Sequence, residues 1–394
     1  MPKLNRWFLS LLALLLPLFS CRGAASPSSG TTSLIVEGNR IYAELEFVRP
    51  DGTLHKSLAF VDLGSPSMIV SEALFKELQL DEKKSLALQV GEMPVHVDAG
   101  AVAKDAWLPF PISDDRMVEA LLPAGVLQKF QVVIDYAKRS LTLAEPGILK
   151  PEGTAVPIRV NQETGLIVVD AAIDGKSYPV TMDCGSAYTW LRKATAQRWL
   201  AAHQEWERGI GAVGASNMRM ADDGIEAMGT LLRIPEIQLG ALRLPQIGAL
   251  AIGPSKTNWD FMDWYSKKNP VPVIGWLGGN VLRGFRITID YPNRTSYWLR
   301  QTDLDPQDLD QVGLTLEAKG GAYFVSAIAT QKGKPTVEGV DVGDKLLQIG
   351  GLQTKAATRG MIYEAMHGKP GELRTLVLER NGKQFTIHAS VMTF

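Results

Sequence analysis

Cysteine is almost absent from this chain. Its 394 residues include only two, Cys21 and Cys184. At most one disulfide could form, so apolar packing must hold the fold. Histidine is scarce as well. His55, His96, His203, His367 and His388 show no pairing at metal-ligand spacing, so no metal is expected. The formal net charge is −1, which leaves no global pull toward nucleic acid. Beyond the first 20 residues, no stretch is apolar for long enough to span a bilayer. Hydrophobic residues make up 45% of the chain, enough at this length for two or three cores.

The N-terminal end has a targeting pattern. Lys3 and Arg6 precede an apolar run from Phe8 to Phe19, too short to cross a membrane comfortably and flanked like a signal peptide. Leu18-Phe19-Ser20-Cys21 resembles a bacterial lipobox. That resemblance implies removal of residues 1–20, lipidation of Cys21 and anchoring in the bacterial cell envelope. Arg22 follows the cysteine, and by resemblance to Gram-negative sorting rules this implies an outer-membrane protein facing the periplasm. A lipidated Cys21 would leave Cys184 without a disulfide partner. Residues 21–32 contain Pro27-Ser28-Ser29-Gly30-Thr31-Thr32 and read as a flexible tether.

What the chain does have is an internal echo. Val61-Asp62-Leu63-Gly64-Ser65 matches Met182-Asp183-Cys184-Gly185-Ser186, and each motif closes a mostly apolar run. A second pair of segments repeats at a constant offset of 155 residues: Val126-Leu127-Gln128-Lys129-Phe130-Gln131-Val132-Val133-Ile134-Asp135-Tyr136 against 281–291. The aspartate motifs lie 121 residues apart, so the second copy holds 34 more residues between its landmarks. The segment around Trp259, Phe261, Trp264 and Tyr265 is the expected home of that excess. It reads as a helix packed on the second half or, alternatively, as a lid on a cleft. Two copies of this length predict two similar lobes, 33–150 and 151–300, and not a solenoid.

The fold class read from the pattern is mostly β. Alternation marks strands near 35–47, 59–70, 86–97 and 131–143, then 166–173, 179–183, 234–239, 246–252 and 285–299. Short helical patches follow at 71–78, 193–207 and 259–268. Residues 301–311, with Asp303, Asp305, Asp308 and Asp310, read as a solvated acidic linker; the glycine and terminal glutamate of a calcium loop are missing. Further on, Gly339-Val340-Asp341-Val342-Gly343-Asp344-Lys345-Leu346-Leu347-Gln348-Ile349-Gly350-Gly351 resembles the signature stretch of a PDZ domain, here 312–394. That resemblance implies that Val312, Gly313 and Leu314 form a loop whose exposed N–H groups receive a peptide C-terminus, while the peptide adds as a strand.

Two carboxyls in contact share one proton, because like charges there cannot both ionise. One can then act as base and the other as acid on a water molecule, and this chemistry needs no cofactor. Gly64 and Gly185 allow close approach at the pair. Ser65 and Ser186 offer hydroxyls to the outer carboxylate oxygens. Residues 33–300 thus resemble a two-lobed aspartic peptidase, nearer to bacterial retropepsin-like proteins than to secreted pepsins. The resemblance implies that Asp62 and Asp183 are the catalytic pair and that the substrate is a peptide or unfolded protein. Trp276-Leu277-Gly278 matches the family's hydrophobic-hydrophobic-Gly element, and Leu121-Leu122-Pro123 is its counterpart with Pro in place of Gly. Leu63 and Cys184 stand where the family has Thr or Ser. By position, 87–106 would be the flap over the cleft. Cys184 reads as a small buried hydrophobe or, alternatively, as a nucleophile. Two functions therefore stand: an envelope-anchored aspartic endopeptidase, or a non-catalytic peptide-binding lipoprotein built on the same cleft.

Mass spectrometry of the mature protein checks the anchor. A diacylated or triacylated N-terminal Cys21 is expected, and an unmodified terminus or a start beyond Cys21 overturns it.

Overall fold

A computed structural model describes residues 27–113, 116–211, 213–216, 225–255 and 258–394. Cys21 and the targeting segment lie outside the described residues. The chain is mostly β, as expected, with its strands gathered in three sheets.

The largest sheet has 14 strands and joins the two copies of the repeat. At its centre the Gln131–Asp135 strand pairs antiparallel with Phe285–Asp290. Val133 faces Thr288 in that register, its own counterpart at the 155-residue offset. A local twofold therefore runs through this pair. Val132, Ile134, Ile287 and Ile289 are all essentially buried there, so the seam is part of one core rather than an edge contact.

Each copy places its aspartate in the same way. The Leu54–Asp62 strand runs parallel to Arg116–Pro123, with Val61 beside Leu122 and Asp62 beside Pro123. In the second copy, Lys176–Met182 runs parallel to Gly275–Leu277, with Met182 beside Leu277. The neighbouring strand then adds a third member antiparallel on its far side, Met68–Val70 in one copy and Thr189–Arg192 in the other. A strand with partners on both edges and cover on both faces loses its alternation. Accordingly Leu58 to Asp62 are all buried, whereas Leu54 to Ser57 still alternate with solvent.

The third sheet is built from the C-terminal part of the chain: Leu314–Lys319, Ala322–Ile328, Lys345–Ile349, Leu352–Gln353, Leu373–Arg380 and Lys383–Ser390. The Arg359–Met366 helix packs on it, and Leu316, Val325, Leu346, Ile362, Met366 and Leu376 form its core. Its outer edge holds one strand from elsewhere, Gly214–Ser216, parallel to Leu314–Lys319.

Two expectations about connecting segments fail. The tether 21–32 ends early, because a strand already begins at Ser29. Ser29 to Ser33 pair with Ala144 to Ser140, and Gly30 lies so close to Val90 and Met93 that a side chain there would collide with their backbone. Backbone pairing and the β-branched Thr31 and Thr32 outweigh the linker-like composition.

The acidic segment 301–311 is not a solvated linker either. Asp308, Asp310 and Gln311 are buried. Arg233 of the second half is buried too and donates to Asp308 Oδ1 at 2.7 Å. Asn280 Nδ2 and the Gly248 N–H satisfy Asp308 Oδ2 at 2.6 and 3.1 Å. Arg233 also donates to the Phe394 carbonyl, and Asp310 accepts the Phe394 N–H. Leu309, Ala329 and Phe394 belong to the same apolar cluster as Leu231, Leu250 and Trp276 of the second half. The C-terminal sheet is thus welded to the second half by a buried ion-pair network.

Arg233→Met leaves two buried carboxyls without their cation. A loss of about 3–5 kcal/mol in urea-unfolding free energy is expected, and a change within the error of the measurement contradicts the network's role.

Candidate active site

Asp62 and Asp183 leave the ends of their two strands and meet. The turn after each is made by Gly64 or Gly185. A Cβ at Gly64 would lie 2.7 Å from the Asp183 carboxyl carbon, and one at Gly185 would lie 2.7 Å from that of Asp62. Each glycine therefore sits against the aspartate of the other copy, where no side chain fits. Local bonding is also duplicated. The Gly64 N–H donates to Asp62 Oδ1 at 2.8 Å, and the Gly185 N–H donates to Asp183 Oδ1 at 2.8 Å.

The two carboxyls hydrogen-bond to each other. They are only 5% and 2% exposed, so water does little to separate their charges. Burial raises both above the ordinary carboxylate range. Asp62 is pushed further, because the charge of Asp183 and the bond to it add to burial. For Asp183, the bond from Asp62 and the N–H groups of Gly185 and Ser186 pull the other way. The two acids therefore titrate as one unit, with a single proton held between them.

No family model matches this chain, and no curated protein matches its sequence. One ionised and one protonated carboxyl in contact form an acid–base pair able to activate water. Among the described residues, no three His, Cys, Asp or Glu side chains gather where they could hold a metal ion.

The supporting residues differ from expectation in one respect. Ser186 Oγ donates to the Tyr188 carbonyl at 2.8 Å, and Ser65 Oγ to that of Ser67 at 3.4 Å. Neither hydroxyl reaches an outer carboxylate oxygen. Each serine N–H closes back onto its own aspartate's carbonyl, and that turn points the side chain down the following segment. Leu63 and Cys184 are both fully buried. Cys184 Sγ donates to the Val61 carbonyl of the other copy at 3.2 Å, while Leu63 offers only apolar contact. Burial and the two aspartates push the Cys184 thiol well up. It stays protonated, which removes the nucleophile reading and leaves a small buried residue with one cross-link.

A cavity of about 250 Å³ opens over Asp62. Phe60, Ile69, Trp107 and Leu121 line it from the first copy, and Phe261, Trp264 and Tyr265 from the second. The last three lie on the Phe261–Ser266 helix, capped by Asp260, inside the extra material of the second copy. Phe261 and Tyr265 are buried against Trp276, whereas Trp264 is 46% exposed. Phe261 and Tyr265 thus both pack on the second half and wall the cavity, as the reading of a helix packed on that half expects. The flap guess at 87–106 is corrected. Its hairpin, Leu86–Val90 with Met93–Val97, pairs with Arg40–Val48 and buries Leu88, Val90 and Val95 in the first core. It lends no residue to the cavity.

The C-terminal binding loop is also corrected. Val312 and Leu314 are fully buried. The Val312 N–H donates to the Met366 carbonyl, one left over at the end of the helix, and the Leu314 N–H to that of Val312. A side chain at Gly313 would strike Thr336. Two N–H groups of the expected loop are therefore already engaged, and Gly214–Ser216 covers the sheet edge beside them.

A carboxyl whose proton is held more tightly in the fold than in the unfolded chain stabilises the fold fully below its unfolded value near 4. That stability is lost as pH rises through the folded value. The proton of the Asp62–Asp183 pair is held in this way. Asp62→Asn removes the loss, so it should unfold at a higher temperature than the wild type at pH 7 and show a flatter dependence between pH 4 and 7. Equal melting temperatures across that range would contradict the shared proton.

Proposed function

We propose that this chain is an aspartic endopeptidase of the bacterial envelope. On this reading 33–150 and 151–300 are the two lobes of an aspartic-peptidase fold, followed by a PDZ domain at 312–394 and anchored through Cys21. The observation that carries it is the crossing of the two Asp-x-Gly-Ser loops, each glycine against the opposite carboxyl, with one proton between the two acids.

The ionised member of the pair takes a proton from a water held between the carboxyls. The protonated member donates its proton to the carbonyl oxygen of the peptide bond. The resulting diol collapses when the proton taken from water passes to the leaving nitrogen and one diol hydroxyl returns its proton to the other carboxylate, which restores the one-proton pair without a covalent intermediate. The cavity beside Asp62, walled by Trp107, Ile69, Phe261 and Trp264, fits a bulky apolar side chain next to the scissile bond. A peptide recruited by the C-terminal domain would lie along the Leu314–Lys319 edge, and it would have to displace Gly214–Ser216 to do so.

A second reading, a peptide-binding lipoprotein without hydrolysis, draws on Leu63. Only one of the two loops keeps a donor to the other, through Cys184. The aspartates are also deeply covered.

Hydrolysis of an unfolded protein or a peptide library from acid to neutral pH separates the two. Asp62→Asn and Asp183→Asn are each expected to lose ~10²–10⁴-fold in rate, while Cys184→Ser, which keeps a donor to Val61, stays active. No wild-type turnover at any pH, with library peptides still bound, establishes the second reading.

A further inference from the structure

A buried cation stands beside the paired aspartates. Arg40 is only 7% exposed. It opens the Arg40–Val48 strand just after a reversal at Gly38 and Asn39, both with positive φ. Its Nε–H crosses to the other copy and donates to the Gly185 carbonyl at 2.8 Å. Its Nη1 is buried with no hydrogen-bond partner among the described residues.

The repeat shows how particular this residue is. Tyr42 faces Phe60, two residues before Asp62. In the second copy Val168 faces Thr181, two residues before Asp183. Counting back two from each, Arg40 corresponds to Leu166, which is fully buried. One copy thus places a guanidinium where the other has an apolar side chain.

Charge and bonding both give that guanidinium a task. A carboxyl pair sharing one proton carries one negative charge, and a lone buried charge is costly. The other ionisable groups around the pair are neutral: Cys184, Tyr136 and Tyr265, each pushed up by burial. The Arg40 charge also acts on Tyr42 and Tyr188, both raised by burial; Arg359 and Glu37 act on Tyr42 as well, and Glu226 on Tyr188. Among the described residues Arg40 is the cation whose charge acts on both Asp62 and Asp183, and it lowers each against the push of burial. Its bond to Gly185 also supplies a link from the first copy to the second loop. Cys184 makes the link in the opposite direction, to Val61, and Leu63 cannot.

We propose that Arg40 is a positioning residue that neutralises the single charge of the proton-sharing pair and holds the Gly185 loop against Asp62. The proposal deepens the peptidase reading and rests on it for its kinetic consequence, but the titration of the pair can be read without turnover.

Two variants of the full chain separate charge from bonding. Arg40→Gln keeps a donor for the Gly185 carbonyl and removes the charge. Arg40→Lys keeps the charge and removes the fork. NMR of aspartate-¹³C-labelled protein follows the pair directly, and the pH–rate profile follows it through hydrolysis, with circular dichroism to check the fold. In Arg40→Gln both titration steps should move to higher pH by about one unit or more. At a fixed pH on the acid limb that is about tenfold less turnover. Arg40→Lys should titrate close to wild type with reduced kcat. A folded Arg40→Gln that titrates like wild type overturns the proposal, since a merely structural role lowers rates without moving the limbs. If Arg40→Gln does not fold, Arg40→Lys carries the test: a pair titrating near the wild type supports the proposal, and one titrating far above it overturns it. An upward titration shift in a protein that never hydrolyses peptide sinks the peptidase reading and leaves the role of Arg40 standing. Wild-type hydrolysis with an unmoved titration does the reverse.

Discussion

Everything at the centre of this molecule depends on two backbones passing within contact distance of two carboxyls. At Gly64 and Gly185 there is no room for even a methyl group, because the aspartate of the opposite copy fills the space. That closeness makes Asp62 and Asp183 share a proton, and burial keeps the shared proton from being lost to water. The strands behind them satisfy the same constraint twice: a parallel neighbour, then an antiparallel one, then a short helix. Cys184 and Arg40 each carry one hydrogen bond across the junction, in opposite directions. A symmetric frame is thus closed by two unlike fasteners.

The C-terminal sheet depends on a second buried knot. Arg233 gathers Asp308, Asp310 and the Phe394 backbone, and a charge so enclosed tolerates no missing partner. Smaller contacts extend the join to the first copy. Glu37 accepts from the Thr358 hydroxyl and the Gly360 N–H, and Asn39 reaches the Tyr363 hydroxyl. Glu37 and Asn39 lie within three residues of Arg40. The C-terminal sheet therefore braces the same reversal that delivers the guanidinium to the aspartates.

The duplicated motif was legible because its physics is local and repeated. Asp-x-Gly-Ser after an apolar run reads as a strand end and a tight turn, and the 155-residue echo reads as a twofold. The mostly β character follows from alternation in the same way. What could not be read was partnership. Asp308 and Asp310 look like linker aspartates until Arg233, far away in sequence, is seen beside them. Ser29 to Thr32 look like a tether because composition does not reveal a waiting strand edge. The hydroxyls of Ser65 and Ser186 suggest carboxylate partners, but the turn that aims them elsewhere is a backbone property. Arg40 had one faint signal, its place after a Gly-Asn reversal in a segment whose counterpart is apolar. Comparing the two copies position by position would have exposed it.

The seam at Val133 and Thr288 has a consequence for how this protein comes into being. Its central pairing joins strands more than 150 residues apart, and the contact of Glu37 with Gly360 spans still more of the chain. Such long loops must close before their contacts reward them, so the fold is topologically slow. Neither copy can assemble the acid–base pair alone. A chain still emerging or half collapsed would hold one aspartate exposed and ionised, with no partner to share its proton. The acid–base pair is then a property of the completed topology, and an unfinished molecule holds only two separate aspartates.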